Sequence, residues 1–201
     1  MANIKKGILM IVSGPAGVGK GTVVAKSVEE SKGMIYLSIS ATTRSPRPID
    51  KEGVTYFFKT KSDFEKMIEN NELLEWACYV DNYYGTPKKP VMDALAEGKD
   101  VILEIEVQGA LKVKENFPEA VLTFIVPPSF SELENRLRGR NTETEEQISK
   151  RLATARTEFS MIEKYDYVVE NNTVEEAVSD LFSILRSEKL KKEKYENNLI
   201  N

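Results

Sequence analysis

Ile8-Leu9-Met10-Ile11-Val12-Ser13-Gly14-Pro15-Ala16-Gly17-Val18-Gly19-Lys20-Gly21-Thr22 decides the fold. Its first five residues form a continuous apolar run, which predicts a strand buried on both faces. Ser13–Gly21 is a glycine-rich turn, and a helix is expected from its end to about Glu30, with Val23, Val24, Ser27 and Val28 at helical spacing. The turn fits G-x-x-x-x-G-K between a strand and a helix, the context that motif requires. Glycines let successive backbone N–H groups face a phosphate, the helix N-terminus adds positive potential, and Lys20 adds a point charge. Many such loops place Ser or Thr after the lysine, where the hydroxyl binds Mg²⁺. Here that position is Gly21, followed by Thr22. The metal is therefore expected to be held mainly by phosphates and water.

Outward from the loop, strands and helices alternate. Strands are expected at Ile35–Ile39, Val101–Glu106, Val121–Val126 and Tyr167–Val169. Helices are expected at Pro90–Glu97, Gln108–Asn116, from the Ser129/Glu132 capping box to about Arg138, up to about Lys164, and at Val174–Glu193. This alternation predicts a parallel sheet with helices on both faces. Between Ser40 and Pro90 the texture changes. Pro-rich Thr42–Pro48, aromatic Tyr56–Phe58, a capping box Ser62–Glu65, an extended Leu73–Val80 and a turn at Tyr83–Pro87 suggest an inserted subdomain. We expect one domain over 1–201, with a core of 1–39, 91–134 and 161–201, an insertion at 40–90 and a helical lid at about 135–160.

Composition narrows the chemistry. The chain has 201 residues, 41% hydrophobic and 30% charged, which suits one soluble α/β domain. A net charge of −4 argues against a general nucleic-acid binder. There is no histidine, which excludes Ser-His-Asp and Cys-His catalysis and histidine metal sites. The single cysteine, Cys78, excludes an internal disulfide and reads as a small core or interface residue. No run approaches the roughly 18 apolar residues of a membrane span. A cytoplasmic protein, monomer or homodimer, acting on small molecules and not on membrane or nucleic acid, is expected. A phosphate loop alone does not separate a switch, a motor and a kinase.

The insertion supplies the discriminating residues. Arg44 and Arg47 lie three apart in a proline-stiffened segment, and arginine forks suit phosphate oxygens. Tyr56 and Tyr84 offer phenolic donors. Glu75 sits between Leu74 and Trp76. Glu104 and Glu106 are two apart on an expected strand and so face one way.

In order along the chain stand Ser13–Thr22, Ser40-Ala41-Thr42-Thr43-Arg44, Glu75-Trp76, Asn82-Tyr83-Tyr84-Gly85, Glu104–Gly109 and Gly139–Glu145. Together they resemble the guanylate kinase family from Ile11 to about Asn172. The resemblance implies a P-loop nucleoside monophosphate kinase moving a phosphoryl group from ATP to GMP (and dGMP), with Mg²⁺. ATP would lie on Gly14, Pro15, Ala16, Gly17, Val18, Gly19, Lys20, Gly21 and Thr22, with Asn171 near the adenine. Arg44, Arg47, Tyr56 and Tyr84 would hold the GMP phosphate. Ser40, Glu75, Thr86 and Glu104 would read the guanine. Arg140 and Arg151, from the lid, would join Lys20 and Arg44 at the transferring phosphates. The family often has Asp where this chain has Glu106 and Gly where it has Asn141; Glu106 is then a metal-water contact or a structural group.

The base chemistry agrees independently. Guanine carries two adjacent donors, N1–H and N2–H₂, beside the O6 acceptor. A carboxylate such as Glu75 accepts both donors and a hydroxyl such as Thr86 serves O6. Adenine lacks the N1 donor and would leave the carboxylate unpaired, at about 1–3 kcal/mol or more. Two other readings are a protein-binding module derived from such a kinase and a kinase for another nucleoside monophosphate. The intact Lys20 and lid arginines speak against the first. Tyr83 is expected to pack, and Arg138, Lys150 and Arg156 to be lid-surface charge.

Overall fold

A computed structural model describes residues 6–139 and 144–192. Strand β1 (Leu9–Ser13) is buried at every residue. It alternates its side chains: Ile8, Met10 and Val12 enter one core, Leu9 and Ile11 the other. Helix α1 spans Lys20–Glu30 and strand β2 Ile35–Leu37. After the insertion come α3 (Lys88–Ala96), β7 (Asp100–Glu104), α4 (Val107–Asn116), β8 (Val121–Val126), α5 (Phe130–Arg138), α6 (Glu145–Phe159), a 3₁₀ turn at Ile162–Lys164, β9 (Tyr167–Glu170) and α7 (Val174–Lys189). The sheet order is β2-β7-β1-β8-β9, parallel throughout. Residues of α1, α5, α6 and α7 cover one face, and residues of α3 and α4 the other. This is the doubly wound α/β architecture expected for a phosphate-loop protein. From β1 the chain goes to β2 on one side, and later from β7 to β8 on the other. The carboxyl end of β1 is thus the switch point where such sheets bind ligands, and the glycine-rich loop leaves from it.

The insertion is a second sheet, ordered β4-β3-β6-β5, from β3 (Ala41–Thr42), β4 (Phe57–Phe58), β5 (Leu73–Tyr79) and β6 (Asn82–Pro87), with helix α2 (Lys61–Glu69). Phe64, Ala41 and Leu73 form its own small core, with Met67, Ile68 and Tyr83 against it. Leu74 instead joins the main core beneath α4, tying the insertion to the body.

Several local expectations need correction. Tyr83–Pro87 is strand β6, not a turn; the reversal lies at Val80 and Asp81, both at positive φ (45° and 60°). The cap of α2 is Thr60, whose hydroxyl accepts the Asp63 amide, two residues before the expected Ser62. Helix α3 starts at Lys88, because Pro90 is tolerated in a first turn whose N–H groups have no intrahelical partner. Ser129 does cap α5 through the Glu132 amide, but the Glu132 carboxylate turns to Arg136 instead of completing a box. The full box is at Thr144 and Gln147, opening α6. Strand β7 stops at Glu104, and Glu106 is the N-cap residue of α4, so the two acids do not share a strand. Cys78 is exposed, so it is not a core residue. No helix among the described residues is long and apolar enough to cross a membrane.

Candidate active site

The phosphate loop, Gly14–Gly19, is anchored from three sides. Ser13 donates to the Ile105 carbonyl (2.9 Å), joining the ends of β1 and β7. Gly19 sits at φ 91°, the left-handed region, and caps α1. A Cβ there would stand 2.4 Å from Asn171 Nδ2, so only glycine fits. Asn171 is buried and donates that amide to the Val18 carbonyl (2.7 Å). Arg136, held by Glu132, reaches the Asn171 carbonyl with Nη2 (3.1 Å) and Val18 O with Nη1 (3.5 Å). The side chain of Asn171 therefore braces the loop at Val18. Lys20 Nζ donates to the carbonyls of Gly14 (2.5 Å) and Pro15 (3.0 Å), and so lies along the mouth of the loop. Gly21 and Thr22 follow, exposed, in the first turn of α1.

Glu104 ends β7 opposite this helix start. A Cβ on Gly21 would lie 3.6 and 3.7 Å from its two carboxylate oxygens. Water reaches the Glu104 side chain, yet burial of its carboxyl raises it above the ordinary value; Lys20 opposes this and Glu106 reinforces it. Glu106 remains near Glu104 despite the end of the strand. Glu158, from α6, joins them: burial and Glu106 raise it, and Lys20 lowers it. The Tyr165 hydroxyl is buried beside this group and is pushed up to about 12, first by burial. Neither Glu158 nor Tyr165 was singled out in the sequence. They lie 52 and more positions beyond Glu106, on elements whose pattern signals only helix and core.

In the insertion, Thr86 is fully buried and donates its hydroxyl to Glu75 Oε1 (2.8 Å). Burial raises the Glu75 carboxyl, while the Thr86 bond and then Lys112 draw it back. One hydroxyl proton serves one acceptor. Thr86 thus orients Glu75 here, and donation to a base oxygen would require it to turn away. Ser40 lies between β2 and β3, its carbonyl accepting the Phe57 amide (2.9 Å).

Arg44, Tyr56 and Tyr84 lie together. The Arg44 guanidinium is 5.3 Å from the Tyr56 ring centre, and the Tyr56 and Tyr84 rings are 6.2 Å apart, edge to face. Arg44 also bridges to Asp50 (2.9 Å), which the Arg47 amide contacts too (2.7 Å). That pairing holds the Asp50 carboxyl below the usual carboxylate range. Asp50 was missed because an acid in a polar turn carries no periodic signal. Arg47 is exposed on the same segment. Tyr83 packs, stacked on Phe64 (5.3 Å). Arg151 is exposed on α6, Arg138 bridges Glu134 and Glu145, and Arg156 lies over Phe130 (4.1 Å). Arg140 and Asn141 fall outside the described residues.

The arrangement has two poles. One is a phosphate loop with Lys20. The other is an insertion with a half-buried carboxylate and an aromatic-backed arginine. A row of carboxylates, Glu104, Glu106 and Glu158, lies near Lys20. Among the described residues no group of three acidic or cysteine ligands is placed to hold a metal by itself.

A family model described as guanylate kinase matches residues 6–188. Guanylate kinase of Halalkalibacterium halodurans is 55% identical over 190 residues, covering 94% of this chain and 93% of that protein. The guanylate kinase of Bacillus subtilis is 52% identical over 190 residues, with the same coverage. Among solved structures, guanylate kinase from Anaplasma phagocytophilum is similar at TM-score 0.74 and 34% identity, covering 94% of this chain and 89% of that one.

Proposed function

From the premise that the chain belongs to the guanylate kinase family and is an ATP:GMP phosphotransferase, we propose how its residues divide the work. The loop Gly14–Gly19, with Lys20, Gly21 and Thr22, takes the ATP phosphates, and Asn171 holds that loop in shape. Glu75 accepts N1–H and N2–H₂ of guanine, and Ser40, Thr86 and Glu104 complete the base site. Arg44, Arg47, Tyr56 and Tyr84 take the GMP phosphate. The observation that carries this reading is the Thr86–Glu75 bond of 2.8 Å, a half-buried carboxylate aimed by a buried hydroxyl. Such a carboxylate rejects adenine, which would leave it unpaired.

Phosphoryl transfer asks for alignment and positive charge more than for a base. An oxygen of the GMP phosphate attacks the γ-phosphorus in line. The bond to the bridging oxygen breaks and ADP leaves, with no covalent enzyme intermediate. Lys20 and Arg44 balance charge from the two sides. Arg151, on α6, would reach in as part of a lid over about 135–160, whose closure would exclude water. Bound Mg²⁺ would neutralise phosphate charge. The residues fit such an ion held mostly by phosphates and water: Gly21 offers no hydroxyl, and the acids near Lys20 suit contact with bound water, Glu106 first.

Steady-state kinetics of Glu75→Ala test the assignment. We expect KM for GMP to rise at least about tenfold, the scale of one unpaired buried polar group, with KM for ATP nearly unchanged. Equal weakening of both nucleotides would remove Glu75 from the guanine edge.

A further inference from the structure

Glu75 is fixed from a direction that the phosphate loop and the insertion do not supply. Its Oε1 accepts the Thr86 hydroxyl. Its Oε2 lies against Gly109, the third residue of α4, where a Cβ would stand only 3.1 Å from that oxygen and 3.5 Å from the carboxyl carbon. The carboxylate therefore occupies space that any other residue would partly fill. Glycine inside a helix is unfavourable by propensity; at this site the missing Cβ gives the acid its room.

Lys112 lies one turn further along α4, on the same face. Its Nζ donates to the carbonyl of Trp76, the neighbour of Glu75 (3.1 Å), and sits 6.0 Å from the Trp76 ring centre. From β6, the groups that face Glu75 are the Thr86 hydroxyl and backbone N–H; from α4 the charged group is Lys112. All of them favour its ionised form against burial.

We propose that the α4 face carrying Gly109 and Lys112 is the seat of the guanine-reading carboxylate, so that both are positioning residues for base selection. The proposal rests on the assignment of Glu75 to the guanine edge. Gly109 sets where the carboxylate stands, and Lys112 favours its ionised form. Guanine offers two donors in a fixed plane, so both position and charge matter to it, while ATP at the phosphate loop senses neither.

Three variants of the full chain test this, with Glu75→Gln as reference. For Gly109→Ala, KM for GMP should rise about threefold or more, a displaced hydrogen bond being worth at least that factor. The values of kcat and KM for ATP should stay within about twofold, and Tm should not fall, since alanine favours the helix. For Lys112→Met, the acid limb of kcat/KM for GMP should move to higher pH, because the neutralised side chain no longer favours the ionised carboxyl. Lys112→Arg should restore the limb, and high salt should shrink the difference between Lys112→Met and the native chain, since Lys112 is exposed. If Gly109→Ala lowers Tm and weakens GMP and ATP together, Gly109 is merely structural. If the acid limb stays put in Lys112→Met, Lys112 has no part in the seat. Either result overturns that half of the proposal while Glu75→Gln still loses GMP. Should Glu75→Gln keep its use of GMP, the guanine assignment itself falls.

Discussion

Asn171 Nδ2 donates to the carbonyl oxygen of Val18 across 2.7 Å and 153 positions of sequence. The bond closes the end of β9 onto the phosphate loop, and Arg136 braces both partners. The loop's shape is thus set partly by side chains outside its motif. Asn171→Ala would leave the Val18 carbonyl with a weaker partner set in a buried place, at about 1–3 kcal/mol. The expected outcome is a lower Tm and a KM for ATP raised several-fold, with KM for GMP little changed. Calorimetry with initial-rate kinetics on both nucleotides checks it; an unchanged KM for ATP would free Asn171 from the loop.

Asp50 plays the corresponding part for the acceptor phosphate. It pairs with Arg44 at 2.9 Å, while Tyr56 and Phe58 flank the guanidinium. Arginine held in one orientation loses less freedom when it grips a phosphate. Asp50→Asn keeps the shape and removes the charge. It should raise KM for GMP about three- to tenfold, with kcat affected less, while Arg44→Lys, which loses the planar fork, should lower kcat/KM for GMP by about a hundredfold. Isothermal titration with GMP separates the two. The Asp50 effect should also fade at low pH, since the depressed carboxyl of the native chain is then protonated as well.

Glu75 and Glu104 both have carboxyls raised from the model-compound value of 4.5. An acid whose folded pKa exceeds its unfolded value binds its proton more tightly when folded. Stability from that source is present at low pH and is lost as pH rises between 4.5 and the raised value. Where Glu75 is ionised it therefore destabilises the fold while serving the base. Glu75→Gln should abolish discrimination for GMP and yet leave Tm at pH 7 equal to or above that of the native chain. Any gain should shrink as pH falls toward 4.5. Thermal unfolding across pH 4–8 measures this; a lower Tm at pH 7 would mean that the Thr86–Glu75 bond outweighs the burial of charge.

The buried run at β1, the loop and the alternation that follows were legible because each is a local pattern with one structural solution. Arg44, Tyr56, Glu75 and Tyr84 were legible through their order along the chain, and the structure brings Arg44, Tyr56 and Tyr84 to one place. Long-range support was not legible. The hold of Asn171 on Val18, the pairing of Asp50 with Arg44 and the place of Lys112 beside Glu75 each act through single contacts with no periodicity. The sharing of the Thr86 proton with Glu75 was also hidden, because a hydroxyl's partner is chosen by tertiary geometry. Tyr83–Pro87 reads as a turn because Gly85 and Pro87 carry turn chemistry, whereas the reversal at Val80-Asp81 carries no glycine.

That reversal yields a further prediction. The β5–β6 hairpin pairs Tyr79 with Asn82, leaving Val80 and Asp81 as a two-residue loop, both at positive φ. Loops of this kind favour Asn-Gly, since the left-handed region suits neither a β-branched side chain nor most other residues. Valine at φ 45° is strained by about 1–2 kcal/mol. Val80 is also 71% exposed, so replacing it removes no core contact. Val80→Asn with Asp81→Gly should therefore raise stability by about 1–2 kcal/mol, or Tm by about 2–8 °C for a chain of this size. The turn carries none of the residues assigned to either nucleotide, so KM for GMP and for ATP should both hold within about twofold. Calorimetry of the double variant decides it. A Tm that falls would show that the hairpin's register depends on Asp81 itself, and a raised KM for GMP alone would show that motion of this hairpin contributes to how Glu75 and Tyr84 meet the substrate.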